Sequence, residues 1–274
     1  MKLIDAYEMA FTTRDSWREG KGRKSARINA NHVIRIVGPE KSVYEIKTVD
    51  FANLTAQLKS EGKEGPTINR ITSSLGTLFT ELAQLGYEVT RPAFKRQKEN
   101  AAKLYFYTEE EMESILEASK LVGDFMFLHD AIKFAYLTGC RRGELVGLTI
   151  YDCDLETNQI TFRDTKNGSD HNLPIHKDLV EVIKRRQHMA VDEFMFSMDD
   201  PNNLLIGLRR LNEKLGIDLN KDWHSIRHST ATHLVSKGVE IRKIMGVMNH
   251  RSVNTTLRYA KVADKAKQEA IDLL

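Results

Sequence analysis

The amino-acid sequence predicts a mostly helical protein of two domains, the second of which also contains a small antiparallel β-hairpin sheet. Apolar residues recur at steps of three and four along most of the chain, which is the spacing of amphipathic helices. One stretch, RPAFKRQKEN (residues 91–100), is basic and contains a proline, which is typical of a linker. Another, residues 160–175, breaks the helical spacing and contains an Asn-Gly dipeptide.

Residues 1–95 are predicted to form a helical bundle. Leu3 and Tyr7 begin the first apolar face. The clearest helix follows Pro66, a residue favoured in a first helical turn, and stops near Gly86. Its apolar residues share one face and are Ile68, Ile71, Leu75, Leu78, Phe79, Leu82 and Leu85.

The second domain is predicted to span residues 107–274, after a basic linker over residues 96–106. Thr108 is placed to cap a helix while Glu111 reaches back to it, which forms a capping box. The next apolar helix is expected to end at Gly139. The spacing of apolar residues at steps of three and four resumes after the hairpin region. The second domain is therefore predicted to be mainly helical.

The hairpin region contains two short runs that flank Asn167-Gly168. Both positions of a tight two-residue hairpin turn need a positive φ, and Asn-Gly is the dipeptide that tolerates it best. The sequence therefore predicts a β-hairpin with Lys166 at its tip or shoulder.

Positive charge is unevenly distributed along the chain. The 41 Lys and Arg residues exceed the 38 Asp and Glu by three, whereas residues 1–100 carry a net +5 and residues 221–261 a net +6. Cys140 and Cys153 are too few for a disulfide framework and lack the spacing of a zinc site. Charges interrupt the first apolar run, and no window reaches the roughly eighteen apolar residues of a membrane span. We therefore expect a cytoplasmic protein without membrane association.

Two segments of the second domain place single polar residues where chemistry is possible. LTGCRRGELVGL holds Arg141 and Glu144 three positions apart, a spacing that also suits a salt-bridged helix start. MGVMNHRSVNTTLRYAKV holds His250 in a turn and then Tyr259. An isolated tyrosine usually serves as apolar bulk, so neither segment indicates a function alone.

A third segment, WHSIRHSTATHL, places His224 and Arg227 on one helical face. His224 and His228 at i, i+4 could hold a metal, but the Glu of a His-Glu-x-x-His motif is missing and Arg227 adds positive charge, so no metal is predicted. An arginine beside a histidine suits a phosphodiester, because the guanidinium grips two oxygens while imidazole adds a hydrogen bond or moves a proton. His228 and His233 are interpreted as structural.

The order of these residues resembles the tyrosine recombinase family, which includes phage integrases and Xer-type enzymes. An Arg-x-x-Glu, a hairpin lysine, a His-x-x-Arg, a histidine and a tyrosine follow one another over residues 141–259. The stretch TINRITSSLGTLFTELAQLGYEVTRP also looks like the last helix of that family's core-binding domain. The chain departs from the family at Met248-Asn249-His250, where Leu-Gly-His is common.

The resemblance implies a site-specific DNA recombinase, or integrase, that cleaves and rejoins strands through a 3′-phosphotyrosyl intermediate. Tyr259 would be the nucleophile, and Lys166 would protonate the leaving 5′ oxygen. Two arginines would clamp the phosphate, two histidines would contact it, and one acid would support the first arginine. These are Arg141, Arg227, His224, His250 and Glu144. No metal, ATP or other cofactor is implied.

The resemblance also implies DNA contacts outside the site. The partners would be double-stranded core sites, bound by a homotetramer on two duplexes, with a directionality factor or host DNA-bending protein as an accessory. The last segment, ADKAKQEAIDLL, would be an exchange helix that docks on a neighbouring subunit. Candidate DNA-binding residues come from basic clusters and the start of the long helix, and are Lys21, Arg23, Lys24, Arg27, Asn69, Arg70, Lys95, Arg96 and Lys98.

Three alternatives stay open at this point. A type IB topoisomerase-like enzyme would use the same chemistry but reseal the same strand, so strand exchange between two sites separates the two. A helical DNA-binding regulator would have a degenerate site, against which the intact tyrosine, arginines and lysine count. A metal-dependent nuclease would be inactivated by a chelator.

Overall fold

The computed structural model describes residues 1–20, 22–99, 103–122, 126–163, 165, 168–260 and 271. It divides the chain into two compact units, Met1–Ala102 and Lys103–Leu274, each with its own buried apolar core. The division falls inside the segment 96–106 that the sequence suggests as a linker. The predicted fold class is confirmed, because helices dominate and the strands form one small antiparallel sheet.

The first unit is helical, with elements α1 (Leu3–Thr13), α2 (Asp15–Arg18), α3 (Arg23–Val37), α4 (Thr48–Ser60) and α5 (Gly65–Gln84). The helix predicted from its apolar spacing is α5, which has Pro66 in its first turn. Gly86 follows with a φ of 87°, a left-handed value that glycine adopts without strain. The predicted apolar residues of α5 are buried in the core of this unit, as the spacing predicts, but Leu85, also assigned to this face, follows the helix and is exposed.

The second unit contains α6 (Glu109–Ser119), α7 (Phe127–Thr138), α8 (Arg142–Val146), α9 (Val180–Met189), α10 (Asn202–Leu215), α11 (Trp223–Ser236) and α12 (Ile241–Val247). Residues 253–260 are also helical. Buried apolar side chains of α7, α10 and α11 meet in the core. None of the described helices is both long and apolar enough to cross a bilayer. The predicted exchange helix, residues 263–274, lies outside the described residues except for Ile271.

Two predicted helix ends are confirmed. The N–H of Glu111 donates to Oγ1 of Thr108 at 3.2 Å, and the N–H of Thr108 donates to the Glu111 carboxylate at 2.8 Å. These reciprocal bonds satisfy two donors that the first turn of α6 leaves without helical partners. At the other end of the next helix, Gly139 terminates α7 with a φ of 64°.

The sheet has the order β1 (Cys153–Asp154), β2 (Gln159–Phe162), β3 (His171–Pro174), and both pairings are antiparallel. The β2–β3 hairpin is confirmed, but its predicted two-residue turn is wrong. Pairing ends where Phe162 faces His171, so the connection spans residues 163–170. Gly168 has the expected positive φ of 69°, whereas Asn167 and Lys166 lie outside the described residues.

A buried ion cluster joins α7 to α9. Asp130 in α7 is fully buried, and its carboxylate lies 2.5 Å from Nη2 of Arg185 and 2.8 Å from Nε of Arg186. Transfer of a carboxylate out of water is unfavourable unless paired cations and hydrogen bonds compensate. The two consecutive arginines of α9 supply that compensation and fix the position of this helix against α7.

We expect Asp130→Asn to lower the free energy of unfolding by about 3–5 kcal/mol, because it leaves buried guanidinium charge without its counter-ion. Glu181→Gln makes the same chemical change in an exposed pair with Lys184, and should cost about 0–1 kcal/mol. Urea unfolding of both variants measures the difference. Equal losses would show that the buried cluster does not hold α9 in place.

Candidate active site

Arg227 is held inside the second unit by carbonyls at the ends of two other helices. The residue lies in α11 and is 4% exposed. Its Nη1 donates to the carbonyl oxygen of Gly139 at 2.5 Å, and its Nη2 donates to that of Met248. Gly139 ends α7 and Met248 ends α12, so the negative ends of both helix dipoles face the guanidinium. Burial, and then the charge of Arg141, lower the pKa of Arg227 to about 10, which keeps it cationic at neutral pH.

Arg141 immediately precedes α8 and is fixed by Glu144. Its backbone N–H donates to Oε2 of Glu144 at 2.7 Å, and its Nη1 donates to Oε1 at 2.6 Å. One carboxylate therefore caps the helix and orients the guanidinium. The charge of Arg141 acts on Arg227, so two arginines far apart in sequence lie near each other.

Tyr259 lies in the helical segment 253–260 and is 3% exposed. Its hydroxyl is 2.8 Å from Nδ1 of His228. Its ring stacks on that of His250, with centroids 6.3 Å apart and planes 4° apart. Burial raises the pKa of Tyr259, and the charges of nearby arginines oppose this rise. The hydroxyl is therefore a neutral phenol beside cations at pH 7.

Three histidines lie around this phenol. His224 and His228 occupy successive turns of α11, and their rings meet edge to face with centroids 4.5 Å apart. His250 is buried, and its Nδ1 lies 2.9 Å from Oγ1 of Thr256. Burial and then neighbouring positive charge lower the pKa of His228 and of His250 to about 4. Both imidazoles are consequently neutral at pH 7.

Asn249 forms the turn that carries His250. Its φ of 46° is a left-handed value that asparagine tolerates better than most residues. Its Nδ2 donates to Oγ1 of Thr165, at 3.2 Å, in the loop between β2 and β3. Asn249 therefore adopts a backbone conformation that glycine also allows, and its amide ties the turn to the hairpin loop.

A cavity of about 370 Å³ brings most of the predicted residues together. Arg141 and Arg227 line it with Tyr259, His224 and His250. Lys166 lies outside the described residues. Within the described part of the chain, no three His, Cys, Asp or Glu side chains are grouped so that they could hold a metal ion.

The profile of the phage integrase family matches residues 105–266, which is more than half of the chain. The chain belongs to the phage integrase family. The tyrosine recombinase XerA of Pyrococcus furiosus is 26% identical, over 93% of this chain and 89% of its own length. XerA of Thermococcus onnurineus is 27% identical, over 95% and 91%. The predicted family and enzyme class, a tyrosine site-specific recombinase, are thus confirmed.

Solved integrases share the fold. The Tn1549 transposon integrase in complex with transposon right end DNA gives a TM-score of 0.78 at 19% identity, covering 99% of this chain and 100% of that one. A lambda integrase tetramer bound to a Holliday junction gives 0.75 at 19% identity, covering 94% and 76%. Mainly helical architecture with a small sheet is therefore common to this chain and these integrases.

In this integrase, His228 makes a contact that its predicted structural role does not include. The residue was interpreted as structural, yet it contacts the hydroxyl of Tyr259. The i, i+4 spacing of His224 and His228 was a sequence signal for a place in the site, because it puts His228 on the same face of α11 as the predicted site residue His224. His233, interpreted in the same way, does pack structurally, because its ring nitrogens pair with Tyr136 Oη and the Tyr107 carbonyl.

The structure places Asn69, one of the predicted DNA-binding residues, inside the first unit. Asn69 is 2% exposed, and its Nδ2 donates to the Gln97 carbonyl at 2.9 Å and to Glu99 at 2.6 Å. Its Oδ1 accepts from the N–H of Gln97 at 2.7 Å. Both ends of the amide are therefore engaged within the first unit. Arg70, the next residue, is exposed.

The predicted basic residues of the first unit differ in their surroundings. Arg27 pairs with Glu8 at 3.0 Å, and Arg96 pairs with Glu99 at 3.0 Å. Lys21 lies outside the described residues. The remaining cations of the set are exposed, and these are Arg23, Lys24, Lys95 and Lys98.

Gly139→Ala should lower the free energy of unfolding by about 1–3 kcal/mol. The residue has a positive φ, and an added Cβ would lie 2.7 Å from Sδ of Met248. Gly246→Ala is the control, since Gly246 lies in α12 with open space around it, and alanine there should be neutral or stabilising by up to about 1 kcal/mol. Denaturant unfolding of the two variants measures both effects. A neutral Gly139→Ala would contradict the packing described.

Stability should fall as the pH falls from 6.5 towards 4. The pKa of His250 is lowered to about 4, so over this range the unfolded chain binds a proton that the native state does not. The loss should reach about 3 kcal/mol for this residue, at about 1.4 kcal/mol per pKa unit. His250→Asn removes this group and should reduce the dependence to the part caused by other histidines such as His228, as measured by urea unfolding at each pH. An unchanged slope in the variant would refute this assignment.

Proposed function

We propose that this integrase cleaves and rejoins DNA at specific core sites through a 3′-phosphotyrosyl intermediate, with integration, excision or resolution as the outcome. The observation that carries the proposal is the shared cavity in which the Tyr259 hydroxyl lies with the guanidiniums of Arg141 and Arg227. A phosphodiester in this cavity meets a nucleophile and two fixed cations at once.

Arg141 and Arg227 are the proposed phosphate clamp. A phosphodiester repels nucleophiles, and its pentacovalent transition state carries an additional negative charge. Two guanidiniums held in advance neutralise that charge without reorganisation during the reaction. Glu144 supports the clamp, because its carboxylate fixes the position of Arg141.

Tyr259 is the proposed nucleophile and Lys166 the proposed general acid. The sugar alkoxide that departs is a poorer leaving group than a phenolate, so a positioned proton donor accelerates cleavage. The phosphotyrosyl ester retains the energy of the broken bond. A 5′-hydroxyl of another strand can therefore attack it without ATP.

The two predicted histidines complete the proposed site. His224, in the same helix as Arg227, is exposed towards the cavity and would contact the bound phosphate. His250 would contact it from the turn closed by Asn249. Its link to Thr256 and its stacking on Tyr259 support this placement.

The first unit is the proposed core-binding domain, assigned to residues 1–95, and residues 107–274 are the proposed catalytic domain. A polar cavity of about 590 Å³ lies between α3 and α5, with Arg70 and Asn29 among its walls. Exposed cations at the start of α3 and along residues 95–98 would contact phosphates and make the affinity salt-dependent. We propose Arg23, Lys24, Arg27, Arg70, Lys95, Arg96 and Lys98 for these contacts, with Lys21 from the same basic cluster.

We further propose that the active assembly is a tetramer on two duplexes. A lambda integrase with the same fold forms a tetramer on a Holliday junction, and the Tn1549 integrase binds transposon end DNA. Strand exchange needs two cleaved duplexes held together, and one active site cleaves one strand. Four subunits therefore match the four strands involved.

The proposal is tested by covalent capture. A pool of nicked duplexes with randomised arms is incubated with the full chain in EDTA, and DNA that stays attached to protein in detergent is sequenced. We expect the wild type to capture a defined core sequence, because a nick prevents religation and traps the phosphotyrosyl link. EDTA should not reduce the yield, since guanidiniums supply the positive charge.

Tyr259→Phe should abolish the adduct, whereas Tyr151→Phe, the same change at a residue 75% exposed in the same unit, should leave it intact. The captured site is then placed in two duplexes to measure strand exchange. Failure of the wild type to form an adduct, or an undiminished adduct from Tyr259→Phe, would refute the mechanism. Relaxation of supercoiled DNA without strand exchange would indicate a topoisomerase instead.

A further inference from the structure

His228 contacts the atom that would attack the phosphate. Its Nδ1 lies 2.8 Å from Oη of Tyr259, and the two ring centroids are 5.7 Å apart. Among the residues that the structure describes, His228 is the only hydrogen-bond partner of this hydroxyl. The contact joins α11 to the helical segment 253–260 and therefore depends on the folded structure.

Two adjacent residues of α11, Arg227 and His228, contact different groups. The guanidinium of Arg227 turns towards the carbonyls of Gly139 and Met248. His228 lies about 100° further round the helix, because a turn contains 3.6 residues, and its ring faces Tyr259. One helix therefore places Arg227, one arginine of the proposed phosphate clamp, next to a partner for the phenol.

Other groups near the phenol are less suited to accept its proton. Nδ1 of His250 is engaged with Thr256, and its ring lies parallel to the face of Tyr259. His224 is exposed, and its ring contacts that of His228 edge to face. Arginine guanidiniums have no acceptor atom. In the described part of the site, His228 is thus the residue that offers a ring nitrogen to the hydroxyl.

Positive charge faces His228 from both of the elements that contact it. His224 and Arg227 lie on α11, with Asp222 as the opposing acid, and Arg258 comes from the helical segment. Burial together with the positive charges lowers the pKa of His228 to about 4. The imidazole is therefore neutral at pH 7, and in the tautomer with its proton on Nε2 the Nδ1 atom accepts a hydrogen bond from the phenol.

A bound phosphodiester would offset the positive charge that lowers the pKa of His228. Its negative charge would face Arg227, and further negative charge develops on the phosphoryl oxygens in the transition state. Negative charge near an imidazole favours the imidazolium. The proton affinity of His228 consequently rises at the stage when Tyr259 loses its proton.

We propose that His228 is a catalytic residue of the strand cleavage described above, on which this inference rests, and that it accepts the proton of the Tyr259 hydroxyl. The O–H bond breaks, the proton moves to Nδ1, and the tyrosine oxygen forms a bond to phosphorus. The bond from phosphorus to the 5′ oxygen breaks, and that oxygen takes a proton from Lys166. On rejoining, the departing tyrosine oxygen takes its proton back from His228.

The test is His228→Asn, whose side-chain oxygen keeps an acceptor near the position of Nδ1 but cannot take up a proton. Adduct formation is followed in single turnover, with the full chain and the nicked duplex identified by covalent capture. We expect the rate to fall about 100-fold at pH 7. The deficit should shrink as the pH rises towards 9, because hydroxide then removes the phenolic proton, while the wild-type rate changes little.

His233→Asn is the matched control, because it replaces another histidine of α11, whose ring nitrogens pair with Tyr136 and Tyr107 rather than with a described residue of the reaction. Its adduct rate should stay within about threefold of the wild type at each pH. Thermal unfolding and affinity for the intact duplex are measured for both variants, so that a folding defect is separated from a slow chemical step. A wild-type rate for His228→Asn, or a deficit that does not change with pH, would overturn the inference.

A second measurement uses a ring-fluorinated tyrosine at position 259, whose hydroxyl is more acidic. It should restore the adduct rate of His228→Asn at least tenfold and change the rate of the protein with His228 much less. Absence of this selective rescue would also overturn the inference. If the wild type forms an adduct and Tyr259→Phe does not, the proposed function stands whether or not His228 acts as the acceptor.

Discussion

A guanidinium buried between two backbone carbonyls is the constraint on which the active site depends. Removal of Arg227 from water is unfavourable by several kcal/mol unless charge-assisted hydrogen bonds compensate. The carbonyls of Gly139 and Met248 supply them, so the ends of α7 and α12 must both reach α11. Arg141 comes two residues after Gly139, and His250 two residues after Met248. The bonds that stabilise one buried cation therefore also deliver two other residues to the cavity.

Features that depend on neighbouring residues were predictable from the sequence. The capping box of Thr108 and Glu111 needs four consecutive residues, and the end of α7 at Gly139 needs only a glycine after an apolar run. The pair of Arg141 and Glu144 is likewise local, and one carboxylate both caps α8 and orients the arginine. The ordered set of such local motifs was sufficient to indicate the family, although each motif alone was weak.

Features that depend on contacts between distant segments were not predictable. Asn69 is a polar residue at the start of α5, but the segment at Gln97 engages both ends of its amide. The hairpin connection is longer than its Asn-Gly dipeptide suggests, because pairing stops at Phe162. The contact of His228 with the hydroxyl of Tyr259 required the packing of residues 253–260 on α11. Periodicity shows which face a side chain occupies, and it does not show what lies opposite.

The positive charge of the arginines near Tyr259 cannot act at full strength on both the phenol and a bound phosphodiester. Without DNA, the guanidiniums act on Tyr259 and partly offset the rise in its pKa caused by burial. Once a phosphodiester is bound, its negative charge neutralises the same guanidiniums, and their effect on the phenol weakens. A tyrosine that relied on arginine alone would thus become harder to ionise at the moment of attack. A neutral imidazole beside the hydroxyl solves this difficulty, because the bound phosphate increases its affinity for a proton. The proposed clamp and the proposed acceptor are therefore complementary, and α11 provides Arg227 of the clamp and His228 as adjacent residues.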